Sequence, residues 1–164
     1  MRIGLFVMVA GVGLAACGTR GSSSQASMGG VRLHAQSTTG WGCPCAPFAL
    51  ADTAEGGKDF VFVETRPGAP DPSADVFHPG PLVRFVLHGK YTGRETTPLA
   101  DAKAKRRPLE EGMAEAPASP IFAVERWCLT TPSDAELAEL DSAEIAAGYR
   151  SARAKAADQG VLCK

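Results

Sequence analysis

Two cysteines separated by one proline, Cys43 and Cys45, are the residues of this 164-residue sequence whose spacing most directly allows chemistry. Side chains at i and i+2 of an extended segment point the same way. Two thiolates placed so could chelate a soft ion such as Cu(I) or Zn, with Cys128 or a histidine completing the site. The candidate histidines are His34, His78 and His88. A redox pair of the thioredoxin kind would need C-x-x-C, which is missing. Disulfide bonding is the third possibility. Which of these three roles applies depends on the cellular compartment in which the chain folds.

The first 16 residues have the features of a secretory signal peptide. Arg2 gives a positive start, and Ile3–Leu14 is an apolar run shorter than the roughly 20 residues that a membrane-spanning helix needs. The residues that follow, Leu14-Ala15-Ala16-Cys17, resemble the lipobox of bacterial lipoproteins. This resemblance covers residues 1–17 only. It implies cleavage before Cys17, lipidation of its thiol and acylation of the new amino group, for example by palmitate. An ordinary secretory signal with an unrelated cysteine is the alternative.

The resemblance also predicts a location. Acyl chains on Cys17 would hold the chain in a lipid bilayer, since more than one chain gives lasting attachment. Residues 17–30 are rich in Gly and Ser, so we expect a flexible tether with a reach of about 20 Å. In the lipoproteins of some bacteria an aspartate after the lipidated cysteine signals retention at the inner membrane. Gly18 stands there, which favours the outer membrane of a bacterial cell envelope.

The remaining residues, 31–164, are enough for one domain with a modest core. Arg2 is the one charged residue of segment 1–16, so the mature chain keeps 16 basic and 18 acidic side chains. This balance shows none of the basic excess of nucleic-acid-binding proteins, and we expect no nucleic-acid partner. An envelope protein or glycan remains a possible partner, of unknown identity.

Four cysteines remain once Cys17 is committed to lipid, and an exported domain folds where disulfides persist. A bond between Cys43 and Cys45 would close a very small ring around a proline of fixed φ, which we expect to be strained. We therefore predict distant pairs, Cys43 with Cys128 and Cys45 with Cys163, or the reverse. Each would contribute on the order of 4 kcal/mol and would fix the C-terminus.

Five segments alternate with the period of a strand or are rich in β-branched and aromatic residues. They are Val31–Ser37, Pro47–Asp52, Asp59–Arg66, Leu82–Gly93 and Pro120–Leu129. Gly56-Gly57 predicts a turn before the third, and Gly89 predicts a bulge in the fourth. The fifth is predicted to place Phe122, Val124 and Cys128 on one face.

The C-terminal part is predicted to be helical. Thr131-Pro132-Ser133 predicts a helix start, a second helix restarts at Asp141 or Ser142, and Gly160 predicts its end. In that second helix we expect one apolar stripe, formed by Ile145, Tyr149, Ala152 and Ala156. Strands followed by helices indicate the α+β class, with a small antiparallel sheet or an OB-like five-stranded barrel on which the C-terminal helices pack.

Two long connections separate the predicted strands. Segment 67–81 contains five prolines and the pair Phe77-His78. We expect Phe77 to anchor this loop to the core, with a binding role for the pair as the alternative. Segment 100–119 carries a basic cluster followed by acidic residues, and we expect a solvated loop whose charges neutralise one another.

No nucleophile elbow, phosphate-binding loop or dinucleotide fingerprint is present in the sequence. We therefore expect a non-enzymatic binding or structural module without a cofactor. The alternative is a soft-metal protein that uses Cys43 and Cys45 with His34 and His88. A third and weaker interpretation, a hydrolase, predicts a deep pocket that contains at least one histidine.

Overall fold

The structure is a computed structural model and describes residues 30–50 and 59–164. Five strands close into a barrel with the neighbour order β1-β2-β3-β5-β4, in which β4 pairs with β1. All neighbouring pairs are antiparallel except β3 and β5, which are parallel. The strands are β1 Val31–Ser37, β2 Phe48–Leu50, β3 Phe60–Glu64, β4 Arg84–Thr96 and β5 Ser119–Thr130. The predicted α+β class with an OB-like five-stranded barrel is confirmed.

The five strands coincide with the five predicted segments, and β1 has the predicted bounds. The predicted signal peptide, Cys17 and the tether up to residue 29 lie outside the described residues, as does the turn predicted at Gly56-Gly57.

Alternation along β4 determines which side chains fill the barrel. Val83, just before the strand, and Phe85 and Leu87 within it are at most 1% exposed, as their period-two spacing predicts. They join a core formed with Phe48, Phe122 and other residues from the facing strands. Burying each of these side chains contributes about 1.5–3 kcal/mol, so this cluster is the main source of stability in the barrel.

The predicted bulge lies beside Gly89. His88 is opposite Arg126 and Gly89 is opposite Val124, so Glu125 is an extra residue on β5. A Cβ atom on Gly89 would lie 1.9 Å from the carbonyl oxygen of Ala123, which no side chain can accept. The extra residue shifts the alternation by one position. Trp127 therefore faces the core that contains Val124, and the predicted placement of Cys128 on the face of Val124 is wrong.

Three α-helices lie in the described ranges: α1 Pro98–Ala104, α2 Asp134–Ala138 and α3 Ala143–Asp158. A single 3₁₀ turn, Asp75–Phe77, interrupts the connection between β3 and β4. Helix α2 begins after Ser133, whose hydroxyl accepts from the amide of Glu136 in a capping box, so the predicted start at Thr131 is two residues early.

Helix α3 packs against the 3₁₀ turn and β5. Tyr149, Ala152 and Ala156 are buried on it as predicted, but Ile145 is 48% exposed and Ala146 takes the fourth buried position. Gly160 follows the helix with φ +67°, as the predicted helix end requires.

None of the helices in residues 30–50 and 59–164 is both long enough and apolar enough to cross a membrane.

Candidate functional site

A cleft with a volume of about 640 Å³ lies at one end of the barrel. Three connections form its walls: the β1–β2 loop (38–47), the β3–β4 connection (65–83) and the β4–β5 connection (97–118). Volumes of 300–1,000 Å³ are typical of sites for small ligands. We call this space the polar cleft, because threonine, histidine, arginine and carboxylate side chains line much of it.

The inner wall of the polar cleft is fixed by His78, which is only 8% exposed. Its ring is stacked on Phe85 with a centroid distance of 5.1 Å and is tilted against Phe48 at 5.2 Å. Nε2 lies 2.7 Å from the carbonyl oxygen of Pro72, which can only accept, so Nε2 carries the proton. Burial favours the neutral ring, in which Nδ1 accepts from the hydroxyl of Ser37 at 2.8 Å and both nitrogens are satisfied.

Burial is the main reason why the pKa of His78 lies below its ordinary value of 6.5. The nearby Arg107 lowers this pKa further, while the hydrogen bond to Pro72 and the carboxylates of Asp75 and Asp71 oppose the shift. Phe77, the neighbour of His78, is 1% exposed, which confirms its predicted role as the anchor of this connection.

A network of charges lies beside the polar cleft and includes two of its lining residues, Ser73 and Arg107. Lys105 Nζ donates to Ser73 Oγ at 2.7 Å and to the carbonyl oxygen of Val63 at 3.3 Å, and it lies 3.3 Å from Asp101 Oδ1. Asp101 is 8% exposed and also pairs with Arg107. The prediction that segment 100–119 is a solvated loop is therefore wrong in its first part, because α1 brings these charges together at a partly buried position.

The end of α1 directs Arg107 into this network. Arg107 N donates to the carbonyl of Ala102 at 2.8 Å and Arg106 N to that of Lys103 at 3.3 Å, which is the pattern of a Schellman motif. Arg106 has φ +53° at the position where glycine is preferred. Within the described residues the buried Nε of Arg107 has no hydrogen-bond partner. This donor lies on a side chain that lines the polar cleft.

The four cysteines form two disulfides, as predicted, but the predicted pairing is wrong. Cys43 is bonded to Cys45 and Cys128 to Cys163, with Cα–Cα distances of 5.4 and 5.0 Å. Cys45 N donates to the carbonyl of Cys43 at 2.8 Å, which closes a three-residue turn. Such a turn has a central φ of about −75°, which a proline ring adopts readily, so Pro44 favours the small ring that we expected it to oppose.

The second disulfide follows from strand pairing. The segment after α3 runs beside β5, where Leu129 N donates to Val161 and Cys163 N donates to the carbonyl of Leu129. These contacts place Cys163 next to Cys128, and the bond fixes the C-terminus to the barrel, as the sequence predicted for one of its disulfides.

The Cys43–Cys45 ring forms part of the wall of the polar cleft. It also borders a second, more apolar groove of about 400 Å³ that continues to Phe60 and Pro117. Cys43 is exposed and Cys45 is half-buried.

The residues of the alternative metal site are not brought together. His34 lies opposite Val86 and His88 opposite Arg32 on the barrel wall, whereas the two cysteines are bonded to each other in the β1–β2 loop. Among residues 30–50 and 59–164 there is no group of three or more His, Cys, Asp or Glu side chains arranged to hold a metal.

The cleft does contain a histidine beside a serine, the feature that a hydrolase would need. Ser37, however, is fully buried, and its oxygen also accepts from the amide of Thr39 at 3.3 Å. A substrate cannot reach this hydroxyl, so the pair holds the β1–β2 loop against the β3–β4 connection.

Comparison of the chain with protein-family models, with curated proteins and with solved structures finds no match.

Sequence reasoning gave no role to Ser37 or Asp101, and it assigned Lys105 and Arg107 to a solvated basic cluster. Two signals were available for α1: Thr97 followed by Pro98 is a helix start, and Asp101 and Lys105 have the i,i+4 spacing of a helical ion pair. No local signal marks Ser37, whose partner lies 41 positions away.

The neutral His78 predicts how stability depends on pH. Its pKa is lower in the folded state than the ordinary 6.5 of the unfolded chain, so the unfolded chain binds more protons at and below that pH. The free energy of unfolding should therefore be largest above pH 6.5 and fall as the pH decreases towards about 5. Urea unfolding across this range measures it. His78→Gln keeps a donor for Pro72 without titrating and should flatten the dependence, whereas the exposed control His34→Gln must keep it.

The two disulfides should differ in their effect on stability. The Cys128–Cys163 bond closes a span of 35 residues, so Cys128→Ser/Cys163→Ser should lower the free energy of unfolding by about 4 kcal/mol. Cys43→Ser/Cys45→Ser opens a span of only 2 residues and should cost less than half as much. Urea unfolding of the two double variants, each serving as control for the other, measures this difference. Equal losses would contradict the assignment of the fixing role to Cys128–Cys163.

Proposed function

We propose that this chain is a lipid-anchored protein of a bacterial cell envelope whose barrel binds a polar ligand in the polar cleft. The anchor is the acylated Cys17. The barrel acts as a binding module and not as a catalyst. The ligand class that we propose is an envelope glycan that carries both hydroxyl and carboxylate groups.

The proposed anchor is supported by the lipobox-like residues Leu14-Ala15-Ala16-Cys17 and by the Gly/Ser-rich residues after them. The disulfides support export, because such bonds persist in oxidising compartments.

The observation that carries the proposed binding function is the polar cleft with the partly exposed guanidinium of Arg107 in its wall. The exposed part of this guanidinium can donate to a ligand acceptor, and its planar fork of donors suits a carboxylate group. Thr38 offers a hydroxyl nearby, and Asp75, Glu110 and Glu111 offer carboxylates. A surface with donors and acceptors of both charges suits a hydroxyl-rich ligand better than a polyanion. OB-like barrels bind oligosaccharides or oligonucleotides through their β1–β2 and β4–β5 loops, and this analogy of fold agrees with the position of the cleft.

Cys17→Ser tests the anchor. The wild-type chain should be recovered with the membrane fraction of the producing bacterium and gain the mass of its acyl groups, because acyl chains partition into the bilayer. The variant should lose both the added mass and the membrane recovery. Fractionation and intact-mass analysis measure these outcomes, and Cys43→Ser/Cys45→Ser is the matched control that must remain acylated. An unmodified wild-type Cys17 would contradict the proposed anchor.

Arg107→Lys tests the cleft. Lysine keeps a positive charge near Asp101 but lacks the planar fork of guanidinium donors, so the affinity for a soluble peptidoglycan fragment should fall about tenfold. Amide chemical-shift changes during titration with a disaccharide muropeptide measure the affinity and locate the contact.

The control for this test is Arg94→Lys, at an exposed arginine of β4 that pairs with Glu64 and does not line the cleft. It should bind like the wild type. Shift changes confined to residues outside the cleft, or an unchanged affinity of the Arg107→Lys variant, would contradict the proposed site.

A further inference from the structure

A row of basic side chains crosses the outer surface of the barrel. Arg32 of β1 lies opposite His88 of β4, and His88 lies opposite Arg126 of β5. Side chains directly opposite one another on antiparallel strands share a face, so the three stand side by side across about 10 Å. His34 follows Arg32 by two positions and has the same orientation. We call these four residues the basic face.

The basic face has no internal neutralisation. Arg32, His34 and Arg126 are exposed, and no salt bridge among the described residues includes any of them. The carboxylate next to Arg126 in sequence, Glu125, occupies the bulge and also forms no ion pair within the described part of the chain.

Two further observations show that the charges act on one another. Partial burial first, and then the like charges of Arg126, Arg32 and His34, hold the pKa of His88 below its ordinary value of 6.5. Lys90, exposed two positions further along β4, adds another positive charge. The arginines on both sides thus disfavour a positive charge on His88, and an anionic partner would offset their effect.

We propose that the basic face docks the barrel onto the anionic phospholipid headgroups of the membrane to which the chain is tethered. This inference rests on the proposed lipid anchor. The face is a sheet surface and not a pocket, so it fits a plane of headgroups better than a single small anion. Its position agrees with a membrane partner, because Arg32 is the second residue of β1 and the tether joins the barrel at Val31.

The docked orientation follows from β1. The basic face lies at the beginning of this strand, and the polar cleft begins at its end, where Ser37 precedes Thr38. Contact through the basic face would therefore leave the cleft open for a ligand.

Vesicle binding of an unlipidated chain tests the inference. The mature chain with Cys17→Ser is mixed with vesicles of phosphatidylcholine containing about 30% phosphatidylglycerol, and bound protein is measured by co-sedimentation at low salt. We expect binding to these vesicles and none to pure phosphatidylcholine. Each arginine near an anionic surface contributes about fivefold, so Arg32→Gln/Arg126→Gln should weaken binding by roughly 30-fold.

The matched control removes the same charge elsewhere. Arg150→Gln/Lys155→Gln alters two exposed residues of α3 and should change the affinity less than about twofold, since the charges of the basic face remain. A second readout is the NMR titration of His88, whose pKa should rise when anionic vesicles are added. Equal losses in the two double variants, equal binding to both kinds of vesicle, or an unchanged His88 titration would overturn the inference.

Failure of the proposed docking face can be distinguished from failure of the proposed lipid anchor. Membrane recovery of the acylated chain tests Cys17, whereas the vesicle assay uses a chain without acyl groups. A lipid-anchored protein whose unlipidated form ignores anionic vesicles would refute the docking face alone.

Discussion

The neutral, buried imidazole of His78 is the constraint on which the cleft depends. Its two hydrogen bonds join the end of β1 at Ser37 to the β3–β4 connection at Pro72, and its ring stacks on Phe85 in the core. The connection itself contains one three-residue helical turn and is rich in proline, and its internal hydrogen bonds close short local turns. A protonated ring would lose the acceptor that Ser37 needs, and it would place a charge among aromatic side chains. The position of this part of the cleft wall therefore depends on His78 remaining uncharged.

Charged residues hold another part of the same wall, at Ser73 and Arg107. Lys105 reaches Val63 on β3 and Ser73 on the β3–β4 connection, and Asp101 joins it to Arg107. Partly buried charges are expensive to leave unpaired, so the network fixes α1 relative to the barrel. It also leaves the Nε of Arg107 without a partner within the described residues. The guanidinium that pairs with Asp101 thus also lines the polar cleft, where the proposed ligand would contact its exposed part.

Local periodicity was enough to predict the strands, and long-range contacts account for the errors. The alternation through Phe85 and Leu87 identified the core face of β4, and Gly89 identified the bulge, because both signals lie in a few consecutive residues. The disulfide pairing depends on which segment runs beside β5, and no local pattern encodes that neighbour. The apolar stripe on α3 was predicted to include Ile145, but Ala146 is buried in its place. The rotation of the helix against the barrel decides which of the two residues is buried, and this rotation depends on long-range contacts. The polar cleft combines three connections, so sequence reasoning singled out Cys43, Cys45 and the Phe77-His78 segment separately and did not predict that they share one cleft.

The geometry of β1 connects the two proposals. Its seven residues span about 20 Å at the rise of a strand. The proposed tether enters at one end, beside Arg32, and Ser37 holds the inner wall of the polar cleft at the other. A barrel attached and docked at the first end must carry its cleft at a distance from the headgroups. In the proposed anchored and docked state, the direction of this one strand separates the polar cleft from the bilayer surface.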